Sequence, residues 1–135
     1  MPSLRLLGLG NNQIGDPGVA ALAGAMGSLA RLTNLYLGLN KIGNDGIVAL
    51  SDQLSRGALA HIESLGLGGN RIGDNGVAAL ASAMGRGSLA KLVNLFLSWN
   101  NIGNDGIAAL ASACASGSLA SLENLHLDGN QIGSD

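Results

Sequence analysis

Residues 92–103 read LVNLFLSWNNIG. Leu95 and Leu97 flank one residue, so apolar side chains alternate with period two, the spacing of a short strand with one buried face. Leu92 precedes Leu95 by three residues and Asn100 follows Leu97 by three; Ile102-Gly103 closes the stretch. The same frame, Leu-x-x-Leu-x-Leu-x-x-Asn, recurs as LRLLGLGNN, LTNLYLGLN, IESLGLGGN and LENLHLDGN. Its Asn falls at Asn12, Asn40, Asn70, Asn100 and Asn130, at spacings of 28, 30, 30 and 30 residues. A fixed period of this length marks a stack of repeats.

Between frames the period changes from two to that of a helix. Val77, Leu80, Ala81 and Met84 stand at i, i+3, i+4 and i+7, one face of a helix. Val19, Leu22, Ala23 and Met26 repeat that face, as do Ile107, Leu110, Ala111 and Cys114. By this register Cys114 is a buried core thiol. Asp16, Asn44, Asp74, Asn104 and Ser134 share one position and are all good N-cap types, and Pro17 follows the first where a missing N–H costs nothing. Gly57, Gly87 and Gly117 end the helices, with Arg56 and Arg86 near the negative dipole end. Each unit is strand, turn, helix and return, and buries its apolar side only against its neighbours. The repeated Asn has to satisfy backbone groups at the turn, because a buried amide left unbonded costs about 1–3 kcal/mol. Stacked, Asn12, Asn40, Asn70, Asn100 and Asn130 form a structural ladder.

These motifs resemble the leucine-rich repeats of the ribonuclease-inhibitor-like type, and the wording Asn-x-Ile-Gly-x-x-Gly-x-x-Ala-Leu is most similar to the repeats of intracellular NOD-like receptors. The resemblance implies an α/β fold: a leucine-rich repeat solenoid, a right-handed βα horseshoe segment with its parallel sheet concave and its helices convex. It also implies a protein-binding role. One domain spans residues 1–135, with repeats 4–31, 32–61, 62–91 and 92–121 and a partial repeat 122–135. The ending, after Ser134, reads as the start of a helix that is not written. A fragment lacking end caps is therefore expected, with self-association through its uncapped ends. Ribonuclease inhibitor itself is cysteine-rich, and this chain has one Cys.

Composition narrows the function. Hydrophobic residues make up 47% but aromatics only 2%, so the core is aliphatic. A net charge of −2 with scattered charges offers no footprint for nucleic acid or an anionic membrane. No run approaches the ~18 apolar residues of a membrane span, and no signal peptide is visible. A single Cys and no Asn-x-Ser/Thr suit a reducing compartment, so a cytoplasmic location is expected. The stretches GLGNNQIG and GLGGNRIG look like phosphate loops, yet neither completes G-x-G-x-x-G or supplies a P-loop Lys. No nucleophile–base–orienter set or carboxylate pair can be assembled, and no metal or cofactor is implied. The chain is read as non-catalytic.

Residues flanking the strand leucines face away from the core, onto the concave side. Candidate partner-binding residues there are Asn34, Tyr36, Asn94, Phe96, Asn124, His126 and Asp128, with Trp99 beside a strand end. Exposed aromatics beside small polar groups suit protein hot spots. A second reading stays open: Tyr36 and Phe96 cover a glycine-rich sheet, packing across Gly66. His126 and Asp128 are placed to pair, and His61, in a column with Arg31, Lys91 and Ser121, is a solvated surface residue. Repeats one and three carry Gly8 and Gly66 where repeats two and four carry Tyr36 and Phe96, so the unit is a duplicated pair. The leading function is a recognition or scaffold module for an unidentified protein, within an intracellular receptor-like or signalling protein. The alternatives are an enzyme regulator similar to the Ran GTPase-activating protein, and a ligand-free spacer in a longer array.

Overall fold

The computed structural model describes residues 3–132. Five short strands alternate with four α-helices: β1 (Leu6–Gly8), α1 (Asp16–Gly24), β2 (Asn34–Tyr36), α2 (Asn44–Ser55), β3 (Ser64–Gly66), α3 (Asp74–Gly85), β4 (Asn94–Phe96), α4 (Asn104–Ala115) and β5 (Asn124–His126). The strands form one parallel sheet in chain order. Their register sets Leu7, Leu35, Leu65, Leu95 and Leu125 side by side. The chain is thus an α/β leucine-repeat solenoid with a sheet wall and a helix wall.

The core lies between those walls. Leu35 and Leu95 have no exposed surface, so the strand leucines point inward as their period requires. From the helix side Val77, Leu80, Ala81 and Met84 meet them, all buried. The first repeat is two residues shorter, and its helix stops at Gly24; a 3-10 turn over Met26–Leu29 then restores the path and still buries Met26. Gly57, Gly87 and Gly117 each follow a helix in the left-handed region. In the fourth repeat the helix face is only partly covered. Cys114, expected in the core, is exposed, as is Ala111, and Ile107 is half-buried. The matching Leu54 and Met84 belong to helices with a following helix against them, and Met26 to the turn after such a helix; α4 packs on α3, and no later helix covers it among the described residues.

The helix starts differ from the sequence expectation. Asp16, Asn44, Asp74 and Asn104 are the first helical residues, and the glycine before each takes the cap position without a side-chain bond of its own. The side chains of Asp16, Asn44 and Asp74 serve the next helix instead. Asp16 Oδ1 accepts from the N–H of Gly43 at 2.7 Å. Asn44 Oδ1 accepts from Gly73 and Gly76 at 2.8 and 2.9 Å, and Asp74 Oδ1 from Gly103 and Gly106 at 2.7 and 3.0 Å. Parallel stacking brings each helix start alongside the previous one, so orphan N–H groups are satisfied from the neighbouring repeat. Ser134, assigned the same role, lies outside the described residues.

At the strand ends the Asn side chains bridge repeats in the same way. Asn70 Nδ2 donates to the carbonyls of Leu67 in its own repeat and Leu37 in the preceding one, both at 3.0 Å. Its Oδ1 accepts the Ile42 N–H at 3.1 Å. Asn40, Asn100 and Asn130 repeat the pattern, bonding back to Leu9, Leu67 and Leu97. The Asn12 side chain bonds to Leu9 and Gly10 of its own turn and is exposed, while the Asn12 backbone N–H donates to Asn40 Oδ1 at 2.9 Å.

Asn70→Leu is expected to cost about 1–3 kcal/mol, because the orphaned Ile42 N–H and the bonds lost to the Leu37 and Leu67 carbonyls, which keep only Asn40 and Asn100 as amide donors, outweigh the added apolar area; denaturant unfolding measures it, with Asn12→Leu as the milder comparison. Gly76→Ala adds a stronger helix former, yet its β-carbon would lie 2.7 Å from Asn44 Oδ1 and 3.2 Å from Asn44 Cα. A loss of about 1–3 kcal/mol is expected there, against the gain of about 1 kcal/mol that propensity alone gives.

Candidate functional site

The sheet's outer face is built by alternation. Because Leu35, Leu65 and Leu95 point into the core, their neighbours Tyr36, Gly66 and Phe96 point out and lie in register across β2, β3 and β4. Tyr36 leans over β3: a β-carbon on Gly66 would meet Tyr36 Cδ1 at 2.8 Å. The Tyr36 hydroxyl accepts from Asn34 Nδ2 at 2.9 Å, so both side chains are engaged within their own repeat. Phe96 stacks on His126 of β5 with ring centroids 4.9 Å apart and planes 18° from parallel.

The polar residues bond laterally. Asn94 Nδ2 donates to Ser64 Oγ at 3.1 Å, and Asn124 Nδ2 donates to Asn94 Oδ1 at 2.6 Å. Asp128 takes its hydrogen bond from Ser98 rather than from His126: Ser98 Oγ donates to Asp128 Oδ1 at 2.6 Å. That hydroxyl, helped by Asp128's own backbone N–H, holds the carboxyl below its usual range; the charge of His126 contributes least. Among the described residues no three His, Cys, Asp or Glu side chains converge as a metal site would require.

The turn after each strand carries a feature that the sequence reading missed. The residue before each ladder Asn is left-handed: Asn11, Leu39, Gly69, Trp99 and Gly129 have φ of 60°, 57°, 69°, 59° and 76°. Glycine suits this conformation and Leu or Trp does not, at a cost of about 1–2 kcal/mol. Leu39 and Trp99 nevertheless occupy it and stand out into solvent, 66% and 67% exposed. Each lies over the glycine of the following repeat, Leu39 over Gly69 and the Trp99 indole over Gly129. Leu39 was absent from the sequence candidates; its place directly before Asn40, matching Trp99 before Asn100, is the signal that could have found it. His61 is exposed, and Lys91 Nζ lies 3.1 Å from its Nδ1.

The sequence matches the family described as Leucine Rich repeat over residues 1–23, 31–51, 58–81 and 89–111. The chain belongs to that family, whose members generally work by binding other proteins. No curated protein matches it. Among solved structures it is similar to an internalin, inlC2, from Listeria monocytogenes, at 34% identity and a TM-score of 0.67, covering 98% of this chain and 46% of the other. A second internalin of that organism, inlF, is 31% identical with a TM-score of 0.66, covering 97% of this chain and 30% of the other. The chain therefore spans less than half the length of either internalin. Actin-binding site 2 of leiomodin-1 shares the fold at 17% identity, with a TM-score of 0.74 over 92% of this chain and 72% of the other. No helix among the described residues is long and apolar enough to cross a membrane.

Leu39→Gly is expected to raise stability by up to about 1 kcal/mol in thermal or denaturant unfolding, since relief of the left-handed Leu outweighs its partial contact with Gly69.

Proposed function

We propose that this chain is a non-catalytic module that holds a protein partner on its concave sheet, as a recognition or scaffold segment of an intracellular, cytoplasmic receptor-like or signalling protein. Trp99 carries the reading. It keeps 67% of its surface exposed on a strained turn, over Gly129 and three residues along the chain from Phe96. A large rigid aromatic held out from a sheet is the kind of anchor that dominates protein interfaces. Asn94, Asn124 and Asp128, already tied to their neighbours, add fixed polar groups along the same face. Asn34 and Tyr36 extend the same face toward Leu39. Tyr36 also serves the fold by covering Gly66, so its share of the binding is smaller than that of Trp99.

The ribonuclease-inhibitor-like and NOD-like assignment of the repeats remains part of this proposal, supported by the long repeat and by the twelve-residue helices of its second to fourth units. The Ran GTPase-activating-protein alternative calls for charged loops against a GTPase, and the sheet face offers aromatics and amides instead; acceleration of GTP hydrolysis would reverse that preference. Self-association is a further reading, favoured by the exposed apolar Leu125 and Ile132, and light scattering that shows only monomer at high concentration would remove it.

The test uses photo-crosslinking from Trp99-adjacent positions in cell extract, followed by affinity measurement on the partner so identified. Trp99→Ala should weaken that binding by about thirtyfold, the scale of a hot-spot residue, and leave stability within about 0.5 kcal/mol. Val48→Ser, on the helix wall, should do neither. The opposite pattern would move the interface to the convex side.

A further inference from the structure

We infer that the N-terminal edge of the sheet is a second binding surface, a groove that takes an acidic segment of a polypeptide. The groove has a volume of about 290 Å³ and is lined by Arg5, Arg31, Thr33, His61, Glu63 and Lys91. Its basic side chains come from successive repeats. Arg31, His61 and Lys91 occupy one position of the repeat, just before the buried Leu32, Ile62 and Leu92; Arg5, Thr33 and Glu63 occupy another, just after Leu4, Leu32 and Ile62.

Hydrogen bonding fixes the spacing of these side chains. The N–H groups of Thr33 and Asn34 both donate to Arg5 O, those of Glu63 and Ser64 to Thr33 O, and those of Val93 and Asn94 to Glu63 O. The backbone under the groove is thus a continuation of the sheet, with neighbouring side chains held about 4.8 Å apart. An extended polypeptide turns every second side chain to one face, about 6.6 Å apart, so alternate Glu or Asp residues of a short run laid across the rungs can meet more than one cation. Little ordering is needed on this side of the contact, which favours binding.

Charge points to the ligand. The whole chain carries seven Lys and Arg and a net charge of −2, yet three of the seven, with His61, gather on this one groove. They are not consumed internally: the ion pair found among the described residues is Asp52–Arg56, on α2 and its cap. The Lys91 ammonium turns toward His61, at 3.1 Å, rather than toward Glu63. Glu63 stands within the groove as an acceptor, which suits a ligand that brings N–H donors along with its carboxylates. A nucleic acid fits poorly, because it offers dense phosphate and stacking bases while the groove holds a carboxylate among its three Lys and Arg and no Phe, Tyr or Trp ring.

The inference rests on the chain being a protein-binding module but uses a surface separate from Trp99, so the two fail separately. Fluorescence anisotropy of a labelled octaglutamate peptide with the intact chain tests it. Binding is expected at 50 mM salt, weakening at least tenfold at 500 mM. The double variant Arg31→Glu/Lys91→Glu, at exposed positions that far-UV circular dichroism can check for folding, should weaken it at least tenfold. Trp99→Ala should change it less than twofold. Absence of binding to the wild-type chain, equal binding by the double variant, equal binding of octalysine, or tighter binding of an octathymidylate would each overturn the inference. Loss with Trp99→Ala alone would transfer the acidic ligand to the concave face.

Discussion

A parallel sheet of three-residue strands has an awkward constraint at its C-terminal edge. The chain turns there while still packed against aliphatic side chains, and the turn's N–H and C=O groups are shielded from water. Each Asn side chain answers this by acting as a piece of backbone: an amide donor and a carbonyl acceptor placed between two turns at once. Asn70 contacts carbonyls of its own repeat and of the one before, so neither turn is complete alone. The burial of Leu35, Leu65 and Leu95, and the register that displays Tyr36, Gly66 and Phe96, follow only once those turns are satisfied.

The helix wall obeys the same logic with different atoms. Asp16, Asn44 and Asp74 each satisfy the helix start of the following repeat. One ladder therefore reaches backward along the chain and the other forward. Both use a short side chain whose oxygen has nowhere else to go. Gly46, Gly76 and Gly106 make room for it, since a β-carbon at any of them would come within 2.7 Å of the capping oxygen. Nearest-neighbour coupling of this kind makes stability a property of interfaces rather than of units.

Periodicity carried the fold. Leu95 and Leu97 announced a strand, Val77 to Met84 a helix face, and the recurrence of Asn a stack; each depends on spacing along one chain, which a sequence displays. What depended on a neighbour was harder to see. A capping residue looks the same whether it serves its own helix or the next, so the sequence alone puts Asp16 and Asn44 on their own helices while the structure puts them on the following ones. Cys114 occupies a core register, and its exposure depends on what packs against α4, not on its spacing. The sequence pairs Asp128 with His126, two residues away, whereas Ser98, thirty residues away, holds it through the parallel register. The left-handed backbone at Leu39 and Trp99 had a weak signal only, in the glycines that share their position.

The alternation of bulky and glycine positions has a geometric consequence for anything that rides on this sheet. Tyr36 rests above Gly66, Leu39 above Gly69 and Trp99 above Gly129, so raised features return on every second strand, about 10 Å apart. A partner moulded to such a corrugated surface loses its fit when displaced by one rung and regains it after two. Lengthening the array by a pair of units would add an equivalent berth, whereas inserting a single unit would throw the ridges out of phase.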